Sequence, residues 1–264
     1  MKKAFISIIH GFVKYREYVL YAAAARLRSE VSNSYLNWIW WILEPMLGMF
    51  VYLVVFGFFL KIGEMYYPLF LYIGIIMWNF FSKSVSGSVG LVRRNRSIVT
   101  NIYIPKTILL FKDILVNLFK MLLSFIIVIV MIICYRVEVG ASIAFVLPVL
   151  LTMFIFTFAI SCFTLNLGVY YEDMEYVVAI LLNAMMYFTG VFYSFDRLLP
   201  GTYGHILGTA NPMAFFIISM RNALIYNGNI STEWLVIWLV LSTGLLFCGA
   251  GIIRRNENNY VKLR

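Results

Sequence analysis

Apolar runs of membrane-crossing length alternate along this chain with short polar and charged stretches. The first run is entered gradually. Asn33 to Leu60 begins polar, turns aromatic at Trp38, Trp40 and Trp41, meets the pair Glu44-Pro45, and is then apolar to its end. Pro45 to Leu60 alone falls short of the roughly 20 residues a membrane helix needs, so the span is read from Leu36 to Leu60. Tryptophan at one end is the belt expected where a helix leaves the headgroups. Five further spans follow: Pro68 to Val92, one within Thr107 to Tyr135, Ala141 to Val169, a short one from Val177 to Tyr193, and Trp234 to Ile253. Pro68 suits a first helical turn, and Pro148 is expected to kink the fourth span. Ser82, Ser86 and Gly90, each four apart with Gly87 beside them, predict a small-residue face for close helix packing.

Two stretches do not read as spans. Residues 1–35 mix Lys2, Lys3, Lys14, Arg16, Arg26 and Arg28 with Phe5, Ile8, Ile9, Phe12, Tyr15, Tyr18 and Tyr21 at helical spacing, which predicts amphipathic helices lying in the membrane interface. Ser194 to Glu233 holds Pro200, Gly201, Gly204, Gly208, Pro212 and Gly228, yet Met213 to Ile218 is strongly apolar. Half-helices dipping into the membrane fit this better than a loop, because such backbone is tolerated only where protein buries it or a cavity solvates it. The expected fold is an all-α integral membrane protein of six transmembrane helices. An N-terminal amphipathic interfacial helix precedes them, and re-entrant half-helices lie between spans five and six. It forms a single domain: 1–35 interfacial, 36–253 in the membrane, and 254–264 a cytosolic tail.

Composition excludes a soluble domain: 62% of residues are hydrophobic and 12% charged, against roughly 45–50% and 25% for soluble chains. The net charge of +9 then reads as a topology signal and not as a nucleic-acid surface. Of 21 Lys and Arg, only Lys61, Arg136, Arg197 and Arg221 fall on one side of the six-span arrangement. The positive-inside rule therefore places both termini in the cytosol, with the basic loop Arg93 to Lys106 and the acidic loop 170–176. Lys112 and Lys120, beside Asp113 in the third span, are expected to snorkel towards the cytosol. Ala4 to Ile9 is shorter than a signal-peptide core and is followed by charge, so no signal peptide is expected.

No G-x-x-x-x-G-K-[ST] phosphate loop and no nucleophile–base–acid set occurs. Cys134, Cys162, Cys248, His10 and His205 have no ligand spacing, so no metal is expected. Glu44 is the only carboxylate near a span centre, which gives little support to an ion-coupled carrier. The chain reads as a non-enzyme, and any ATP-driven transport would need its ATPase, with ATP and Mg, on a separate chain. What the chain does have is aromatic residues, 18% of the total. Tyr52, Phe56 and Phe59 repeat at i, i+4, i+7, as do Phe188, Phe192 and Phe195. With Trp38, Trp41, Tyr187 and Tyr193 they are candidates for a channel wall on which sugar rings could stack and slide. Lipid contact or core packing is the competing reading for each.

Several short motifs occur in order: Ser34-Tyr35-Leu36 with Trp41 and Leu43-Glu44-Pro45; Tyr103-Ile104-Pro105-Lys106; Tyr171-Glu172-Asp173; Tyr193 through Pro200; and Asn211-Pro212 with Arg221 and Gly228. Their order and spacing, from about Arg28 to Arg255, resemble the membrane subunit of ABC-2 type ABC exporters, within them the permeases for O-antigen, capsule and teichoic-acid polysaccharides. Two positions depart from the family pattern: Glu172, where Arg is frequent, and Gly190, where Pro is common. The resemblance implies a bacterial inner-membrane homodimer with two copies of a separate ABC ATPase, exporting a lipid-linked glycan. It assigns ATPase coupling to Arg94, Arg96, Tyr103, Pro105, Glu172 and Asp173. Arg26 or Arg28 could hold the glycan's pyrophosphate; anchoring to anionic lipid is the alternative. An exporter of drugs or small lipids, and a membrane enzyme acting on lipid-linked sugars, are the competing functions.

Overall fold

The computed structural model describes residues 14–32, 37–96, 104–198 and 201–256. Among them nine main helices follow in order: α1 (Arg16–Val31), α2 (Trp40–Tyr52), α3 (Tyr67–Val89), α4 (Lys106–Tyr135), α5 (Val146–Tyr170), α6 (Met174–Tyr187), α7 (Thr202–Ala210), α8 (Pro212–Arg221) and α9 (Thr232–Asn256). The protein is an all-α integral membrane protein. Five helical segments among the described residues are long and apolar enough to cross a membrane: Trp40–Phe59, Tyr67–Val89, Lys106–Tyr135, Ala141–Tyr170 and Thr232–Asn256.

The fifth expected span is shorter than its apolar run. α6 has 14 residues, about 21 Å at 1.5 Å per residue, against a hydrocarbon core of about 30 Å. The chain leaves the helix at Phe188, and Gly190 takes a left-handed φ of 67°.

Burial sorts the helices. α3 is the hub, packed against α2, α4, α5, α6 and α8, with Leu69 to Ile73 fully enclosed. α9 lies along α5. α2, by contrast, keeps one face bare: Leu47, Phe50 and Val51 are exposed, while Met46, Met49 and Tyr52 pack on the core. α1 packs on the start of α4 through Val19, Ile104 and Ile108, leaving Leu20 and Tyr21 outside.

Three local expectations change. The small-residue face of Ser82, Ser86 and Gly90, with Gly87 beside them, is not a helix-packing seam within this chain: nothing lies within 4 Å of a Cβ added at Gly87, and one added at Gly90 would meet the Glu175 carboxylate and the Arg94 guanidinium, not a neighbouring helix backbone. The close approach is at Gly168 of α5, where a Cβ would fall on the Val89 carbonyl oxygen of α3. Ser88 and Thr164 hydrogen-bond across the same seam. Pro148 does not kink a mid-helix. It stands in the first turn of α5 after the 3-10 turn Ala141–Phe145, where its missing N–H has no helical partner to lose. Lys112 does not snorkel: its side chain is 6% exposed and its Nζ lies 2.9 Å from Asp113.

The stretch expected as half-helices is a helix pair, α7 and α8. Asn211 caps α8, its side-chain oxygen accepting from the N–H groups of Met213 (3.1 Å) and Ala214 (3.4 Å). Pro212 at the first helical position completes the start signal.

Candidate functional site

The two ends of α3 carry different chemistry. At its C-terminal end an ion-pair cluster joins the basic loop to the acidic one. Arg93 reaches Glu175 (2.8 Å) and Glu172 (3.5 Å), and Arg94 reaches Glu175 at 3.6 Å. Slight burial works against the Arg93 charge, but Glu175 and Glu172 outweigh it and hold its pKa above the ordinary value. These partners are partly or well exposed, so each pair is worth no more than about 1 kcal/mol. Glu172 is thus engaged within its own chain. Asp173 starts α6 through its backbone carbonyl; its side chain is exposed and pairs with no other described residue. Pro105 caps α4, its carbonyl accepting from Ile108 and Leu109. Arg96 is exposed, and Tyr103 lies outside the described residues.

A second cluster ties α1 to α4. Arg26 donates to both Asp113 oxygens (3.2 and 3.3 Å) and to Glu30 (3.4 Å), and Lys120 pairs with Glu30. Burial, then the Asp113 charge, pushes the Tyr18 phenol up. The Arg26 guanidinium is therefore committed to protein carboxylates, whereas Arg28 is exposed in the last turn of α1. Glu44, the carboxylate that the sequence places near a span centre, pairs with Lys83 at 2.7 Å.

The aromatic candidates divide. Tyr52, Phe56, Tyr187 and Phe192 come together: Phe192 lies 4.4 Å from Tyr52, stacks on Phe56 at 4.7 Å and lies 5.7 Å from Tyr187, ring centre to ring centre. Phe192 is wholly buried, so it forms core and not channel wall in this conformation. Phe188, Phe192 and Phe195 share no helical face, because α6 ends at Tyr187. Phe59 also leaves the face of Tyr52 and Phe56. The helix widens to a π turn over Leu53–Phe59, and i→i+5 bonding changes the number of residues per turn. Trp38, Phe59, Tyr187 and Phe188 are exposed, and Tyr193 is half-buried, its hydroxyl donating to the Tyr187 carbonyl. Trp41 packs edge-on to Phe119 with the Lys120 ammonium 5.7 Å from its ring centre.

At the other end of α3, the turn after α6 is held by three side chains. Arg221 of α8 donates to the carbonyls of Phe70 (3.2 Å), Gly190 (2.8 Å) and Val191 (2.7 Å), with its guanidinium over the Phe70 ring. The Tyr67 hydroxyl donates to the Phe192 carbonyl at 2.9 Å, and the Asn211 amide to that of Phe188 at 3.1 Å. Gly74 makes room: a Cβ there would lie 2.5 Å from Arg221 Nη2. Gly190 is explained by the same turn. Its φ of 67° is closed to proline, whose ring fixes φ near −65°. The sequence marks Arg221 as a topology charge and as part of the motif that follows Asn211-Pro212, but names no partner for it. The available signal was a lone arginine within the apolar run Met213 to Tyr226, which in a membrane protein marks a partnered charge.

The profile of the ABC-2 type transporter family matches residues 19–225, from α1 to the π turn after α8. The chain belongs to that family. Among curated relatives, an O-antigen export system permease protein RfbA of Myxococcus xanthus is 22% identical over 258 residues, 97% of this chain and 99% of that one. Two proteins of the same name from Klebsiella pneumoniae are each 24% identical, one over 89% of both chains, the other over 90% of this chain and 91% of its own. In this ABC-2 chain the matched region takes in both ends of α3. The ion-pair cluster and the Arg221 turn both fall within the matched residues.

Proposed function

We propose that this chain is the membrane-spanning subunit of an ATP-driven exporter that moves a lipid-linked polysaccharide from the cytosolic side across a bacterial plasma membrane. Similarity over nearly the whole chain to three O-antigen export permeases carries this reading. Two copies of the chain pair with two copies of an ABC ATPase, which binds ATP and Mg. Both termini lie in the cytosol, as does the Arg93–Glu175 cluster.

The bare face of α2 and the exposed end of α6 are the surfaces on which a second copy would pack around a channel. Trp38, Phe59, Tyr187 and Phe188 are the exposed aromatics available to line it. Their rings can stack on sugar C–H faces without fixing a register, which suits a polymer in transit. Arg28 is the better placed of the two candidate arginines for the pyrophosphate, because Arg26 is already paired. Asp173, free of internal ion pairs among the described residues, is the better placed acid for ATPase docking.

The test is purification of the tagged protein from its native membrane, followed by ATP hydrolysis with and without extracted lipid-linked glycan. A co-purifying ATPase stimulated by the glycan is the expected result. A partner ATPase indifferent to glycan moves the substrate to drugs or small lipids. Absence of any ATPase partner overturns the exporter reading and favours an enzyme acting on lipid-linked sugars.

A further inference from the structure

Beside the Arg221 turn, at the end of α3 away from the basic cluster, lies a cavity of about 460 Å³. That is within the roughly 300–1,000 Å³ of small-molecule sites. Its walls come from the segment before α3, the turn after α6, the α7–α8 pair and the residues leading to α9. Gly204 and Gly208, one turn apart on α7, are among its walls.

One group in this cavity is incomplete. The Glu64 side chain is 9% exposed, and its Oε1 accepts no hydrogen bond. The nearest cation is Arg197, whose Nε stands 3.6 Å away on a side chain that is 63% exposed. A buried carboxylate oxygen without a donor is costly, so a ligand that brings donors is favoured here.

The surroundings narrow its chemistry. Asn222, Asn229, Ser194 and Ser219 offer both donors and acceptors, and Phe195 and Phe215 offer ring faces. An anion is disfavoured by Glu64, and Arg221 already gives three of its five N–H donors to backbone carbonyls. A cation is disfavoured by Arg221 and Arg197. A neutral molecule with many hydroxyls and an apolar C–H face satisfies every wall.

We propose that this cavity is a carbohydrate site within a single protomer, in which Glu64 accepts from sugar hydroxyls and Asn222 and Asn229 serve the others. That its occupant is a segment of the exported glycan rests on the export reading; the preference for a neutral polyol does not. The site is separate from the exposed aromatics of α2 and α6.

The test uses the full chain in nanodiscs free of sugar detergents, with saturation-transfer NMR as the readout. The probes are maltotriose, N,N′-diacetylchitobiose, and oligosaccharides released by mild acid from the cells' own surface glycan, against spermidine and inorganic phosphate. At least one neutral sugar is expected to bind, with affinity falling about tenfold in Glu64→Gln, the scale of one hydrogen bond to a charged group. Asn229→Phe, at an exposed rim position, should also weaken it; this second variant guards against misfolding in the first. Sugar binding absent from the wild type, or unchanged in both variants, overturns the proposal. So does preferential binding of spermidine or phosphate that Glu64→Gln alters. Glycan-stimulated ATP hydrolysis, measured in parallel, separates the two readings: stimulation without sugar binding here sinks the site alone, and sugar binding without stimulation leaves the site and sinks the export reading.

Discussion

Arg221 holds the turn after α6 with three hydrogen bonds to carbonyls of two elements. Charged donors to buried acceptors contribute about 1.5–3 kcal/mol each. Arg221→Met should therefore lower stability by about 3 kcal/mol or more in thermal or denaturant unfolding. Arg221→Lys should recover only part of that, since an ammonium lacks the planar fork. Gly190 is bound to the same geometry. Gly190→Ala places a Cβ 2.7 Å from the Phe195 ring at a left-handed φ, and should cost about 1–3 kcal/mol. Asp113 offers a sharper case. It faces buried Lys112 and half-exposed Arg26, so Asp113→Ala strands a buried ammonium and should cost about 3 kcal/mol. The double variant Lys112→Met/Asp113→Leu should be the more stable of the two, because no charge is left unpaired. A double variant weaker than the single one would contradict this account.

At the scale of elements, α3 and α5 meet so closely at Gly168 that its Cα hydrogen is all the Val89 carbonyl allows. Gly168→Ala should force the helices apart and destabilise by about 1–3 kcal/mol, read as a lower unfolding temperature in detergent. The short α6 has a different logic. Its apolar run continues past Tyr187 in the sequence, but the left-handed Gly190 and the carbonyl acceptors of Gly190, Val191 and Phe192 belong to a turn that other helices complete. Helical periodicity could place Phe188, Phe192 and Phe195 on one face only by assuming that the helix went on.

For the whole molecule, the arrangement separates two charged ends along one buried helix. The exposed ion pairs of Arg93 and Arg94 with Glu172 and Glu175 are individually weak, so under the proposed export function they can exchange partners with a docking ATPase. Asp173→Ala is expected to reduce the amount of co-purified ATPase several-fold, with Glu172→Ala having the smaller effect because Glu172 is held by Arg93. Equal loss in both, or none in either, would remove Asp173 from the docking surface.

Hydrophobic run length and composition alone determined that this is an all-α membrane protein and located its long helices to within a few residues. Those features follow from local chemistry: bilayer thickness and proline geometry. Only the tertiary structure decided where α6 stops, which aromatics are buried, and which charges are paired. Each of these depends on partners distant in sequence, such as Arg26 with Asp113, Arg221 with Gly190, and Glu64 with the cavity wall beside it. A residue's own chemistry sets what it needs, and the fold alone brings the group that meets the need.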